Sequence, residues 1–223
     1  MLQSQTLQFL KDLKENNNKP WFDANRKTYE VAKQDFASFV EILIKGIEQF
    51  DENIAEANLK AKDCMFRINR DVRFSKNKDP YKSNFGAWFC KGRKNTVSAG
   101  YYLHIDPNEC FFAGGVWMPE SENLKKIRAE IDYNFDEFSH ILSAESFKNI
   151  FSKGLDRAVL TVRPPKGYDE TNPAIDLIKL KSFTASSAID SKEILKPNLP
   201  NLILDGFKAM QTYIAFLNRA IDG

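Results

Sequence analysis

Apolar residues recur at helical spacing near the start of the chain. Leu7, Leu10 and Leu13 share one face of a short helix that Thr6 caps and Asn16, Asn17 and Asn18 break. Pro20 suits the first turn of a second helix. Phe22, Tyr29, Ala32, Phe36, Phe39, Val40, Leu43, Ile47 and Phe50 then keep the 3.6-residue period, which predicts one long amphipathic helix over residues 20–50. Its aromatic stripe reads as core, with Trp21 and Phe22 stapling the start.

From residue 64 the period changes to two. Cys64, Phe66, Ile68, Val72 and Phe74 would share one face of a strand over 64–74, and Arg67, Asn69, Asp71 and Arg73 the other. Arg70 falls on the apolar face, where it needs a hydrogen-bonding partner. Residues 81–90 read as extended. Alternation over 97–105, a turn at 106–108 and a return over 109–117 predict an antiparallel hairpin. Gly114 and Gly115 mark a bulge or a close backbone approach, with no phosphate-loop spacing after them.

Residues 120–152 read as two or three short helices. Residues 155–162 and 182–189 are candidate strands, Pro173 can open a helix, and 201–221 read as a final helix. The pattern predicts one α+β domain over residues 1–223, a mostly antiparallel sheet packed by long N- and C-terminal helices.

Composition narrows the class. The 223 residues are 43% apolar and 13% aromatic, too rich for a disordered chain. No apolar stretch is long enough to span a membrane, and the first residues lack the pattern of a secretory signal. Cys64, Cys90 and Cys110 are odd in number and widely spaced, which fits buried thiols in a reducing cytoplasm rather than a disulfide framework or a zinc site. With only His104 and His140, a site of several histidines is excluded, and neither a metal nor a cofactor is expected.

Charge changes the picture locally. The chain holds 32 basic and 30 acidic residues, net +2, so a whole-molecule basic field is absent. Residues 60–95 alone hold eleven basic residues, Arg93 and Lys94 among them, and three acidic ones, a local +8 against −6 for the rest. Such an excess attracts anions even on a near-neutral protein. Within it lies Arg67-Ile68-Asn69-Arg70-Asp71-Val72-Arg73-Phe74, followed by Lys78, Tyr81 and Lys82.

The pattern R-x-x-R-D-x-R-F-x-x-x-K-x-x-Y over residues 67–81 resembles the signature of the bacterial and fungal family called domain of unknown function 2461. The stretches N-N-x-x-x-W-F from Asn16, G-Y-Y-x-H at 100–104, G-G-x-W-x-P at 114–119, P-K-G-Y at 165–168 and the L-K-S-F at 180–183 are similar to that family too. The resemblance implies a bacterial source and carries no established activity, so the residues must speak for themselves.

Guanidinium groups offer planar forks of donors suited to phosphate or carboxylate. On a straight strand Arg67 and Arg73 would stand about 20 Å apart, too far for one phosphate. Arg67, Arg70 and Arg73 are the expected anion ligands, with Lys78, Tyr81 and Lys82 folding back toward them. Asp71 would orient an arginine or act as a base. His104, on the polar face of its strand, is the candidate proton carrier, and His140 reads as surface. The expected partner is a small phosphate- or carboxylate-bearing molecule, with catalysis left open. Two alternatives stand. One is a single-stranded nucleic-acid surface using Trp88, Trp117, Tyr101 and Tyr102 beside the arginines, and the other is an Arg–Asp network satisfied internally.

Overall fold

The computed structural model describes residues 2–92 and 97–223; Arg93 and Lys94 lie outside the described residues. The first layer is helical. α1 (Ser4–Glu15) buries Phe9, Leu10 and Leu13 against α3 (Arg26–Ile47). Thr6 does not cap α1. It lies inside the helix, and its hydroxyl donates to Asp35, while Gln3 takes the cap position.

The single helix expected over 20–50 is two. α2 (Lys19–Ala24) begins at Asn18, whose side chain accepts the Trp21 N–H at 3.0 Å. The chain bends at Asn25 before α3, and the Asn25 amide donates to the Trp21 carbonyl at 2.9 Å. The apolar stripe runs unbroken across the bend, which is why its period conceals the break. α4 (Glu52–Ala57) is capped by Asp51 and stopped by Asn58 in the left-handed region at φ 47°. α5 (Ala61–Cys64) is one turn.

The sheet follows. β1 (Phe85–Cys90), β2 (Gly100–Ile105), β3 (Cys110–Val116) and β4 (Phe183–Ile189) pair antiparallel in the order β1-β2-β3-β4. Between β3 and β4 lie α6 (Ser121–Tyr133), α7 (Phe135–Ser143), α8 (Glu145–Ile150) and α9 (Ile175–Ile178). The final helix expected over 201–221 divides at Met210 into α10 (Leu199–Ala209) and α11 (Gln211–Asp222). The architecture is α+β, with an antiparallel sheet packed by the N- and C-terminal helices.

Alternation gives the sheet two unlike faces. Phe89, Tyr101, Leu103, Phe112 and Phe183 are buried toward the helices. Phe207 of α10 meets both Tyr101, at 5.0 Å between ring centroids, and Phe89, at 5.9 Å. The Tyr101 hydroxyl donates to Asp51 at 2.6 Å, which satisfies a polar group deep in that layer. The opposite face carries Trp88, Tyr102, His104 and Phe111, all only partly covered. Gly115 lies at φ 125°, and a Cβ there would stand 1.8 Å from the Phe183 carbonyl oxygen, the close approach the sequence anticipates.

Two expected strands do not form. Over 64–74 only Cys64 and Ile68 are buried, while Phe74 is 95% exposed. The backbone there makes two isolated bridges, Met65 to Ala87 and Asn69 to Tyr81, and then leaves the sheet, because past Asn69 it meets no continuous partner strand among the described residues and even the apolar Val72 and Phe74 go unburied. Over 155–162 a lone bridge joins Leu160 to Leu180, and Val162 is 94% exposed. The three cysteines are buried, as expected. Among the described residues no helix is long and apolar enough to cross a membrane.

Candidate site on the open face of the sheet

The basic motif forms a closed loop rather than a strand. Its stem is the bridge between Asn69 and Tyr81, flanked by Arg70 N–H to the Pro80 carbonyl at 2.9 Å and Lys82 N–H to the Ile68 carbonyl at 2.8 Å. Asn17, from the turn after α1, locks the stem. Its amide oxygen accepts the Tyr81 N–H at 3.1 Å and its amide nitrogen donates to the Tyr81 carbonyl at 3.0 Å.

The stem sorts the motif residues. Tyr81 is buried, stacked on Phe22 at 4.0 Å between centroids, and serves as a pillar of the core. Arg73 and Asp71 pair with each other through bonds of 3.0 and 2.7 Å, out in solvent. The Arg73 hydrogen bonds hold the Asp71 carboxyl below its ordinary pKa, which makes it a poor base. Lys78 donates to the Val72 carbonyl at 3.0 Å within the loop. Arg67 is exposed, and Arg70 is half-buried with a long 3.5 Å contact to the Ser75 hydroxyl.

Lys82 lies in the wall of a concave surface. It lines a cleft of about 710 Å³ on the open face of the sheet, within the usual range for small-molecule sites. The floor is one cross-strand row, Trp88, Tyr102, Ala113 and Ser186. Phe66 and Met118 stand among the walls. Lys82 is half-buried with its ammonium 5.2 Å from the Phe66 ring centroid. Burial first, then the charges of Arg67 and Arg70, depress its pKa. Among the described residues Lys82, Arg67 and Arg70 form no ion pair.

His104 is coupled to the floor. Its ring stacks on Phe111 at 4.7 Å, and its Nδ1 lies 3.0 Å from the Tyr102 hydroxyl and 3.4 Å from the Asn84 amide nitrogen. The single Nδ1 lone pair suits the nearer donor, the Tyr102 hydroxyl, with the Asn84 amide a longer second approach. Burial lowers the His104 pKa against the opposing pull of Asp106 and Glu109, and it pushes Tyr102 up to about 12. His140 is exposed.

The remaining expected residues scatter. Tyr101 belongs to the core, and Trp117 is 62% exposed at the cleft rim. Among the described residues no group of three or more histidine, cysteine or carboxylate side chains is placed to hold a metal. The sequence assigns no site role to Asn17, Phe66, Phe111, Ser98, Glu120 or Asp156. Alternation along β3 could have placed Phe111 beside Tyr102; nothing local marks the others.

Comparison with known proteins gives one result. The family model described as "Conserved hypothetical protein (DUF2461)" matches residues 5–216. No curated protein matches the chain, and no solved structure does.

Proposed function

We propose, for a chain that belongs to the DUF2461 family, that the cleft is a small-molecule site whose ligand sets an anionic group against Lys82 and an apolar body on the aromatic floor. The observation that carries this reading is Lys82 itself, a half-buried ammonium without a carboxylate partner among the described residues. Keeping an unpaired charge partly desolvated is costly, and an arriving anion removes that cost. Arg67 and Arg70 enlarge the positive field at the same end of the cleft, as their effect on Lys82 requires.

The reading narrows the anion site from the whole motif to these three cations. Arg73 and Lys78 are already engaged within the loop, and Tyr81 is buried. It leaves Asp71 outside the chemistry. Tyr102, with His104 behind it, is the polar group on the floor that a ligand's own donor or acceptor would meet.

A thermal-shift and calorimetric titration with aromatic carboxylates and aromatic phosphates tests it. Saturating ligand raises the melting temperature by mass action. The shift should survive about 0.3 M salt, vanish in Lys82→Met and persist in Arg73→Ala. No shift with any anion would sink the reading. Binding of single-stranded RNA alone, lost at that salt concentration, would replace it with an open electrostatic surface.

A further inference from the structure

We infer that the cleft is charge-polarised and takes an elongated zwitterion, a short peptide with free termini, with its carboxylate at Lys82 and its ammonium at Asp156 and Glu120. The inference rests on the reading of Lys82 as the anion end and adds the opposite end and the ligand class.

Register fixes the two ends. Phe66 N–H donates to the Gly86 carbonyl at 3.0 Å, which sets Phe66 and Lys82 at one corner of the sheet, beside β1. Asp156 N–H donates to the Thr184 carbonyl at 2.7 Å, on the far edge of β4. Met118 N–H donates to the Ser182 hydroxyl at 3.0 Å, which brings Glu120 round to the same end. Gly86 aligns through His104 and Phe111 with Ala188, four residues along β4 from Thr184. The corners are therefore separated by about 13 Å along the strands and about 14 Å across them. Trp88, Tyr102 and Ala113 fill the space between.

The acidic end has no internal partner for its charge. Glu120 and Asp156 are exposed and make no ion pair among the described residues, and Asp156 commits one carboxylate oxygen to the Ala158 N–H at 2.8 Å. A second, independent observation lies along the same end of the cleft. Ser98 lines it, is 5% exposed, and has a hydroxyl oxygen without a hydrogen-bond partner among the described residues. Buried hydroxyls are rarely left so, because the lost hydration is not replaced. A polar ligand group arriving there supplies what is missing.

The separation of the two charged ends, with backbone groups at one of them unpaired among the described residues, selects a peptide among zwitterions. The Thr184 carbonyl points away from β3, so the backbone groups of Ser186 and Ala188, two and four residues on, also face outward. Neither has a backbone partner on that side among the described residues. Ser186 also lines the cleft. A chain that lies diagonally across the open face from Lys82 meets this edge with its N-terminal amide groups, and about six extended residues span the roughly 19 Å between the charged ends.

Isothermal titration of the full chain with hexapeptides carrying a phenylalanine at the third position tests this. Four forms are compared: free termini, N-acetylated, C-amidated and doubly blocked. The free form should bind about tenfold tighter than either singly blocked form, and the doubly blocked form weakest. Glu120→Gln with Asp156→Asn should erase the preference for a free N-terminus and leave the N-acetyl peptide's affinity unchanged. Lys82→Met should erase the preference for a free C-terminus. Melting curves of each variant establish that it is folded. If the N-acetyl peptide binds as tightly as the free one, the polarity is wrong while the anion end stands. If no peptide binds but aromatic carboxylates do, the peptide class fails alone. If neither binds, both readings fail together.

Discussion

Asn17 holds the backbone of Tyr81 by both its N–H and its carbonyl, at 3.1 and 3.0 Å, and so acts as a one-residue strand against the motif stem. Asn17→Ala should cost about 1–3 kcal/mol, since it leaves two partly buried backbone groups unsatisfied. It should also weaken anion binding, because Lys82 follows directly on Tyr81. Denaturant melts and calorimetry on one preparation would measure both effects. A stability loss with unchanged affinity would show that the stem is held by other contacts.

Lys82 titrates below an ordinary lysine. Anion affinity should therefore be level through neutral pH and fall on the alkaline side before pH 10.5, as the ammonium loses its proton. A bound anion raises that pKa again, so complex formation near the fall should take up protons. Titration in buffers of different ionisation enthalpy reads that uptake, and Lys82→Met should abolish it.

Burial lowers the His104 pKa in the folded protein, so between that value and about 6.5 the unfolded chain binds more protons. Stability should then be full above about pH 6.5 and decline as pH falls through this window. His104→Gln should flatten this part of the melting-temperature profile. An identical slope in the variant would assign it to other groups.

Asp71 and Arg73 pair in solvent, with side chains 45% and 76% exposed. A buried Arg–Asp scaffold would fail when one partner is removed. An exposed pair is screened, so Asp71→Ala should leave the melting temperature within experimental error. A large drop would restore the scaffold reading.

Gly115→Ala meets both a positive φ and a carbonyl oxygen at 1.8 Å. It should destabilise the protein by about 3 kcal/mol or more, by parting β3 from β4. Chemical denaturation would measure it, and a near-neutral result would mean that the pairing beside Phe183 can shift.

The elements most legible in the sequence are those whose burial is periodic and local. Tyr29, Ala32, Phe36, Phe39, Val40, Leu43 and Ile47 all fall on the buried stripe of α3, and the β2–β3 hairpin follows from strict alternation around a polar turn. Residues 64–74 alternate as well, yet form no strand, because a strand also needs a continuous partner and the pattern says nothing about one. The motif was visible as a unit, but its division was not. Tyr81 goes to the core and Lys82 to the cleft, and that choice is made by Phe22 and Asn17, about sixty residues earlier. Asp156 and Glu120 reach the cleft only through the β3–β4 pairing, so no local signal marks them.

Tyr101 and Tyr102 are chain neighbours that face opposite surroundings, one hydrogen-bonded to Asp51 within the core and the other on the cleft floor. Sliding β2 by one residue would exchange them. The His104 imidazole would enter the helical layer, and Leu103 would be expelled onto the open face. No sheet slipped by one residue can therefore close the core and still present a cleft. Correct assembly and binding competence are then one property of the molecule. A partly denatured preparation should show fewer sites at an unchanged dissociation constant, rather than a folded population of weakened ones.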